Sequence, residues 1–78
     1  MAAAPDLRVA FGQVLREFRM EAGLSQEALS HACGRHRTYV SLIERGRNQP
    51  TITTLWKLAE ALGVQPSVMI EHVEKVLG

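Results

Sequence analysis

Disulfide chemistry is the first thing this chain lacks. Its 78 residues hold one cysteine, Cys33, so no internal bridge can form, and a small chain without such a framework suits a reducing compartment, the cytosol by default. Long hydrophobic runs are missing too: no apolar stretch approaches the roughly 18 residues that span a bilayer. Met1 to Pro5 has neither the basic start nor the apolar run of a signal peptide. A membrane partner is therefore not expected. Nor is there an excess of one charge, since nine Lys and Arg against eight Asp and Glu give a net +1, which points neither to nor away from nucleic acid.

Catalytic patterns are also wanting. There is no Ser/His/Asp set, no paired carboxylates and no Gly-rich phosphate loop, and 78 residues leave little room for a catalytic cleft or a second domain. His31, Cys33 and His36 lie near one another without a second ligand pair at metal-binding spacing, so zinc is rejected and no cofactor is implied. What is present is a hydrophobic fraction of 46% against 22% charged, the balance of an ordinary globular chain.

The pattern is helical throughout. Leu7, Phe11, Val14, Leu15, Phe18 and Ala22 form one helical stripe, with Asp6 placed to cap it and Gly23 to end it. Ser25 reads as the next N-cap, with Glu27 in the first turn, Leu24 and Leu29 as a hydrophobic staple, and Gly34 as the stop. A third helix is predicted from about His36 to Arg45, with Val40 and Ile43 inward and Gly46 beyond its end. Thr51 caps a fourth, whose Leu55, Leu58, Ala59 and Leu62 make a core stripe ending at Gly63. Pro66 suits the first turn of a fifth. Cys33 reads as core, and Met20 and Met69 as gap-fillers. The expectation is an all-α, five-helix domain over residues 6–78, including a C-terminal helix over 67–77, preceded by a flexible segment over residues 1–5.

Two short helices joined by a tight Gly turn, the second with an apolar face and an Arg/Thr/Ser face, are the sequence form of a helix-turn-helix. Ser30 is small where the two helices would cross. Charge is concentrated on this element: residues 35–47 hold four arginines and one acid, a net +3, while the other 65 residues carry five basic and seven acidic side chains, a net −2. That segregation is the footprint of a DNA reader.

Leu24-Ser25-Gln26-Glu27, then Arg37-Thr38-Tyr39-Val40-Ser41, Ile43-Glu44-Arg45-Gly46, Pro50, and Thr54-Leu55 through Ala61-Leu62-Gly63-Val64 resemble the Cro/repressor-type, Xre-like helix-turn-helix domains of bacteria and phages. The resemblance covers residues 7 to about 70 and implies the five-helix lambda-repressor-like fold. The short length, the His36-Arg37-Thr38-Tyr39 run and the extra C-terminal helix are similar to the controller proteins of restriction-modification systems, small dimeric transcriptional regulators.

A helix in the major groove needs donors and acceptors near its N-terminal end. Arg37 is the first choice for a base reader, because a guanidinium can bridge guanine O6 and N7, and Thr38 is the second. Leu42 either meets a thymine methyl, as the resemblance implies, or packs inward. The resemblance assigns Gln26 a backbone contact, and Tyr39, Ser41, Arg45, Arg47, Asn48 and Thr51 complete the phosphate-facing rim. The resemblance also pairs the Glu44 position with that of Arg19 as a structural salt bridge. Arg35 and His36 depart from the family pattern, at a turn position usually apolar and at the usual Ser or Thr cap. Either would add a phosphate contact, with His36 contributing more when protonated, or Arg35 would leave a hole in the packing.

Trp56 falls off the core stripe of the fourth helix, and the fifth helix is more apolar than a cap requires. Both features predict a two-fold homodimer with Trp56, Met69, Ile70, Val73, Val76 and Leu77 at its interface. The functional expectation is a homodimeric, sequence-specific transcriptional regulator reading a palindromic operator in double-stranded DNA, with RNA polymerase a further partner if it activates. The alternatives are an antitoxin whose C-terminal surface binds a toxin, and an interaction module that has lost DNA binding.

Overall fold

The computed structural model describes residues 6–78; the expected flexible segment over residues 1–5 lies outside them. Five helices follow in order: α1 (Leu7–Glu21), α2 (Gln26–Ala32), α3 (Tyr39–Glu44), α4 (Ile52–Leu62) and α5 (Pro66–Leu77). No strand occurs among the described residues, and no helix there is long and apolar enough to cross a membrane.

Local chemistry sets most helix ends. Asp6 Oδ1 accepts from the Arg8 N–H at 2.9 Å, Ser25 Oγ from Ala28 at 3.0 Å and Thr51 Oγ1 from Thr54 at 3.2 Å, each filling one of the donors a helix start leaves free. The far ends share one closure. After α1 the Gly23 N–H donates to the Met20 carbonyl and the Leu24 N–H to that of Arg19, the paired bonds of a Schellman motif, with Gly23 left-handed at φ 73°. The same pair recurs at Gly34, Gly46 and Gly63.

The core is a single cluster. Ala10, Phe11, Val14 and Leu15 of α1 meet Leu29 of α2, Val40 and Ile43 of α3, Leu55, Leu58 and Ala59 of α4, and Met69 and Val73 of α5, with Cys33 also buried. Phe18 and Leu62 are half-buried against it. The ends of the expected α1 stripe, Leu7 and Ala22, are exposed instead. Met20 fills no gap, being 59% exposed near the end of α1. α5 begins at Pro66 and packs on α1 and α4.

The third helix differs most from expectation. It starts at Tyr39, because the Tyr39 N–H bonds the His36 carbonyl at 2.9 Å, an i to i+3 turn. The α-helical ladder begins only where the Leu42 N–H reaches the Thr38 carbonyl. His36, Arg37 and Thr38 therefore form a turn leading into α3, and the Arg45 end is one residue shorter than expected.

Candidate nucleic-acid interface

One hydroxyl organises the crossing of α2 and α3. Ser30 Oγ is fully buried, donates to the Gln26 carbonyl at 2.8 Å and accepts the Val40 N–H at 2.9 Å. It thereby satisfies a donor at the start of α3 that would otherwise be buried without a partner. Leu29, Val40 and Ile43 are wholly enclosed beneath, so α3 is held against α2 by packing and by this bond.

A second clamp ties α3 to α1. Arg19 Nε and Nη2 reach Glu44 Oε2 and Oε1 at 2.5 and 3.0 Å, and Arg19 Nη1 donates to the Leu24 carbonyl at 2.9 Å. The side chains are only 14% and 4% exposed, and the carboxylate raises the Arg19 pKa against the opposing effect of burial. Gln26 Nε2 also donates to Glu44 Oε1, at 2.9 Å. The expected Arg19–Glu44 pair is present, and the Gln26 amide belongs to its network. Gln26 is thus half-buried, with one amide donor engaged in the clamp.

The outer surface of the motif carries the sequence-selected polar residues. Arg37, Arg45, Arg47 and Asn48 are exposed, and Ser41, Tyr39 and Leu42 are half-buried. Arg37 and Arg47 make no side-chain hydrogen bond or ion pair among the described residues, so their guanidinium donors face solvent. Arg45 Nε donates back to the Ser41 carbonyl, the Ser41 hydroxyl donates to the Thr38 carbonyl, and Asn48 Oδ1 accepts from Gln49 N–H.

Three residues expected on the rim have internal partners. His36 Nδ1 lies 3.0 Å from Thr38 Oγ1 and accepts the Thr38 N–H at 3.3 Å, a contact within the turn before α3, whose N-cap Thr38 makes no side-chain capping bond. The Thr51 hydroxyl caps α4. Arg35 leaves no hole: its guanidinium lies 4.9 Å from the centre of the Tyr39 ring and donates to Thr54 Oγ1 at 3.0 Å.

On the far side, Trp56 is 57% exposed, as expected, and it is joined by Ile52, at 69%, and by Ile70 and Leu7. Two open hollows connect them, one lined by Leu7, Phe11, Pro50, Ile52, Leu55 and Ile70 and one by Ile52, Trp56, Pro66 and Ile70. The expectation for Met69 and Val73 is corrected: at 0% and 3% exposure they belong to the core of the chain itself. Val76 and Leu77 are separated from Ile70, lining a different hollow with Val9, Ala10 and Gln13. Six residues of helix turn α5 by 240° between Ile70 and Val76, which puts the buried Met69/Val73 line between them. Ile52 and Leu7 were not selected from the sequence. The signal for Ile52 was its place one turn before Trp56, at i and i+4.

The helix-turn-helix family model matches residues 15–69, which include both helices of the motif and the buried contacts that join them. The chain belongs to the Xre-like helix-turn-helix family. It is 40% identical over 67 residues to the control protein C.BamHI of Bacillus amyloliquefaciens, covering 85% of this chain and 83% of that one. The clp gene regulator ClgR of Corynebacterium glutamicum superposes with a TM-score of 0.89 at 29% identity, covering 100% of each chain. The restriction-modification controller protein C.Esp1396I, solved as a tetramer in complex with its natural 35 base-pair operator, superposes with a TM-score of 0.81 at 32% identity over 94% of this Xre-like chain and 96% of that one. Family members of this kind are transcriptional regulators, and controller proteins are prominent among this chain's relatives.

Proposed function

We propose that this chain is a transcriptional regulator that binds double-stranded DNA as a two-fold homodimer, laying the 36–38 turn and α3 into the major groove at each half of a palindromic operator. The observation that carries the reading is the exposed guanidinium of Arg37, unpaired among the described residues, at the leading end of α3, on an element fixed from beneath by Ser30 and the Arg19–Glu44 clamp. Arg37 and Thr38 read base edges, and Leu42 offers an aliphatic edge to a thymine methyl. Arg45, Arg47, Asn48, Tyr39 and Ser41 face phosphates, and the net +3 of residues 35–47 supplies the attraction.

Ile52, Trp56, Ile70 and Leu7 form the apolar face between the two copies, a surface costly to leave in water. Two-fold pairing through it puts the readers about one helical turn of DNA apart, roughly 34–36 Å. Occupancy then controls transcription, by exclusion or through contact with RNA polymerase. The relative solved on its operator supports this reading.

Selection from a random duplex pool tests it directly. A palindromic site is expected for the wild type, with Arg37→Ala losing about 1–3 kcal/mol of discrimination at one base pair of each half-site. Absence of enrichment at low salt would sink the proposal.

A further inference from the structure

Resting on the DNA-binding reading, we propose that Arg35 is a positioning residue that sets the angle between the DNA-reading element and the dimer-forming helix, and thereby the half-site spacing the protein accepts. α3 packs on α1 and α2, whereas α4 packs on α2 and α5, and direct packing between α3 and α4 is slight. The reader and the helix carrying Ile52 and Trp56 are thus joined mainly through α2, and any direct link must come from a side chain.

Arg35 supplies one. It leaves the α2–α3 turn with its guanidinium 4.9 Å from the centre of the Tyr39 ring, the first residue of α3. The same group donates through Nη2 to Thr54 Oγ1, at 3.0 Å, in the first turn of α4. Thr54 is 2% exposed, and its hydroxyl is 3.0 Å from that of Thr51, the α4 cap. A buried hydroxyl on α4 needs partners, and among the described residues it has Arg35 and Thr51. One planar cation, rooted in the turn between α2 and α3, thus contacts the Tyr39 ring at the start of α3 and Thr54 at the start of the dimer helix. Stacking and a directed N–H bond fix orientation in a way a phosphate-facing arginine, free to rotate in solvent, does not.

The test uses the operator obtained by selection and versions with one base pair inserted or removed between half-sites. Arg35→Met keeps the stem and removes the donors; Thr54→Val removes the acceptor and leaves every charge in place. Each variant, checked for folding and dimerisation, is expected to lose about tenfold of the preference for the native spacing, with the double variant no worse and the salt dependence of binding unchanged. Should Arg35→Met not fold, Thr54→Val alone carries the comparison. A phosphate contact would instead lower the salt slope by about one in Arg35→Met and leave Thr54→Val silent, which overturns the proposal. Unchanged spacing preference in both variants overturns it as well. If the wild type selects no duplex, the DNA-binding reading itself falls and takes this inference with it.

Discussion

Gly12 and Ile43 approach so closely that a Cβ on Gly12 would sit 2.5 Å from the Ile43 carbonyl oxygen and 2.8 Å from that of Glu44. The obstacle is backbone, at the last turn of α3, so relief requires α1 and α3 to separate. Gly12 is where the reader's far end rests on α1.

Gly12→Ala should therefore destabilise. Alanine's better helix propensity returns about 1 kcal/mol, and overpacking against backbone costs about 1–3 kcal/mol, so the net is a loss of up to about 2 kcal/mol. A thermal midpoint lowered by several degrees, with weaker operator binding, is the expected pair of readouts; an unchanged or raised midpoint contradicts the close approach.

Glu44→Ala leaves the Arg19 guanidinium buried beside no carboxylate and should cost about 3–5 kcal/mol in urea unfolding. Replacing both Arg19 and Glu44 by Met should recover much of that loss, because no charge is then stranded. The raised Arg19 pKa keeps its contribution complete below the unfolded-state value, lost only as pH climbs through the still higher folded-state value. Arg19 thus adds no pH dependence near neutrality.

Ser30→Ala strands the Val40 N–H in the core, at a cost of about 1–3 kcal/mol. Amide exchange at Val40 should accelerate more than exchange in the buried turns of α5. Uniform acceleration would mean that Ser30 supports the fold generally rather than the start of α3.

Ile70 and Val76 have nearly equal exposure, 42% and 44%, on opposite flanks of α5, which makes them a matched pair. In sedimentation at tens of micromolar, Ile70→Asp should give a monomer and Val76→Asp a dimer. The reverse result would move the interface to the Val9/Val76 hollow. Val73→Asp is unsuitable, since it places a charge in the core and unfolds the chain.

Burial raises the Cys33 thiol pKa, an effect opposed by Lys57 and Arg35. Because the folded value is the higher one, this group's contribution to stability is complete below the ordinary thiol value of the unfolded state and declines as pH rises beyond it. The wild type should lose more stability than Cys33→Ala between pH 7 and 9.5. Iodoacetamide should modify Cys33 much faster in denaturant than in buffer; equal rates would place the thiol at the surface.

The sequence determined what depends on neighbours along the chain. Asp6, Ser25 and Thr51 cap helices because their oxygens reach donors two or three residues ahead, and Gly23, Gly34, Gly46 and Gly63 close them because the left-handed turn is local. The helix-turn-helix, with Ser30 at its crossing and its concentrated arginines, was legible for the same reason, and resemblance added the Arg19–Glu44 pair. Tertiary structure decided the rest. Whether exposed Arg35 reaches Thr54, how closely Gly12 meets Ile43, and on which side of the buried Met69/Val73 line Ile70 and Val76 fall all depend on the angles and distances between helices. Those are fixed by packing among residues far apart in sequence, which helical periodicity places on a face without saying what that face will meet.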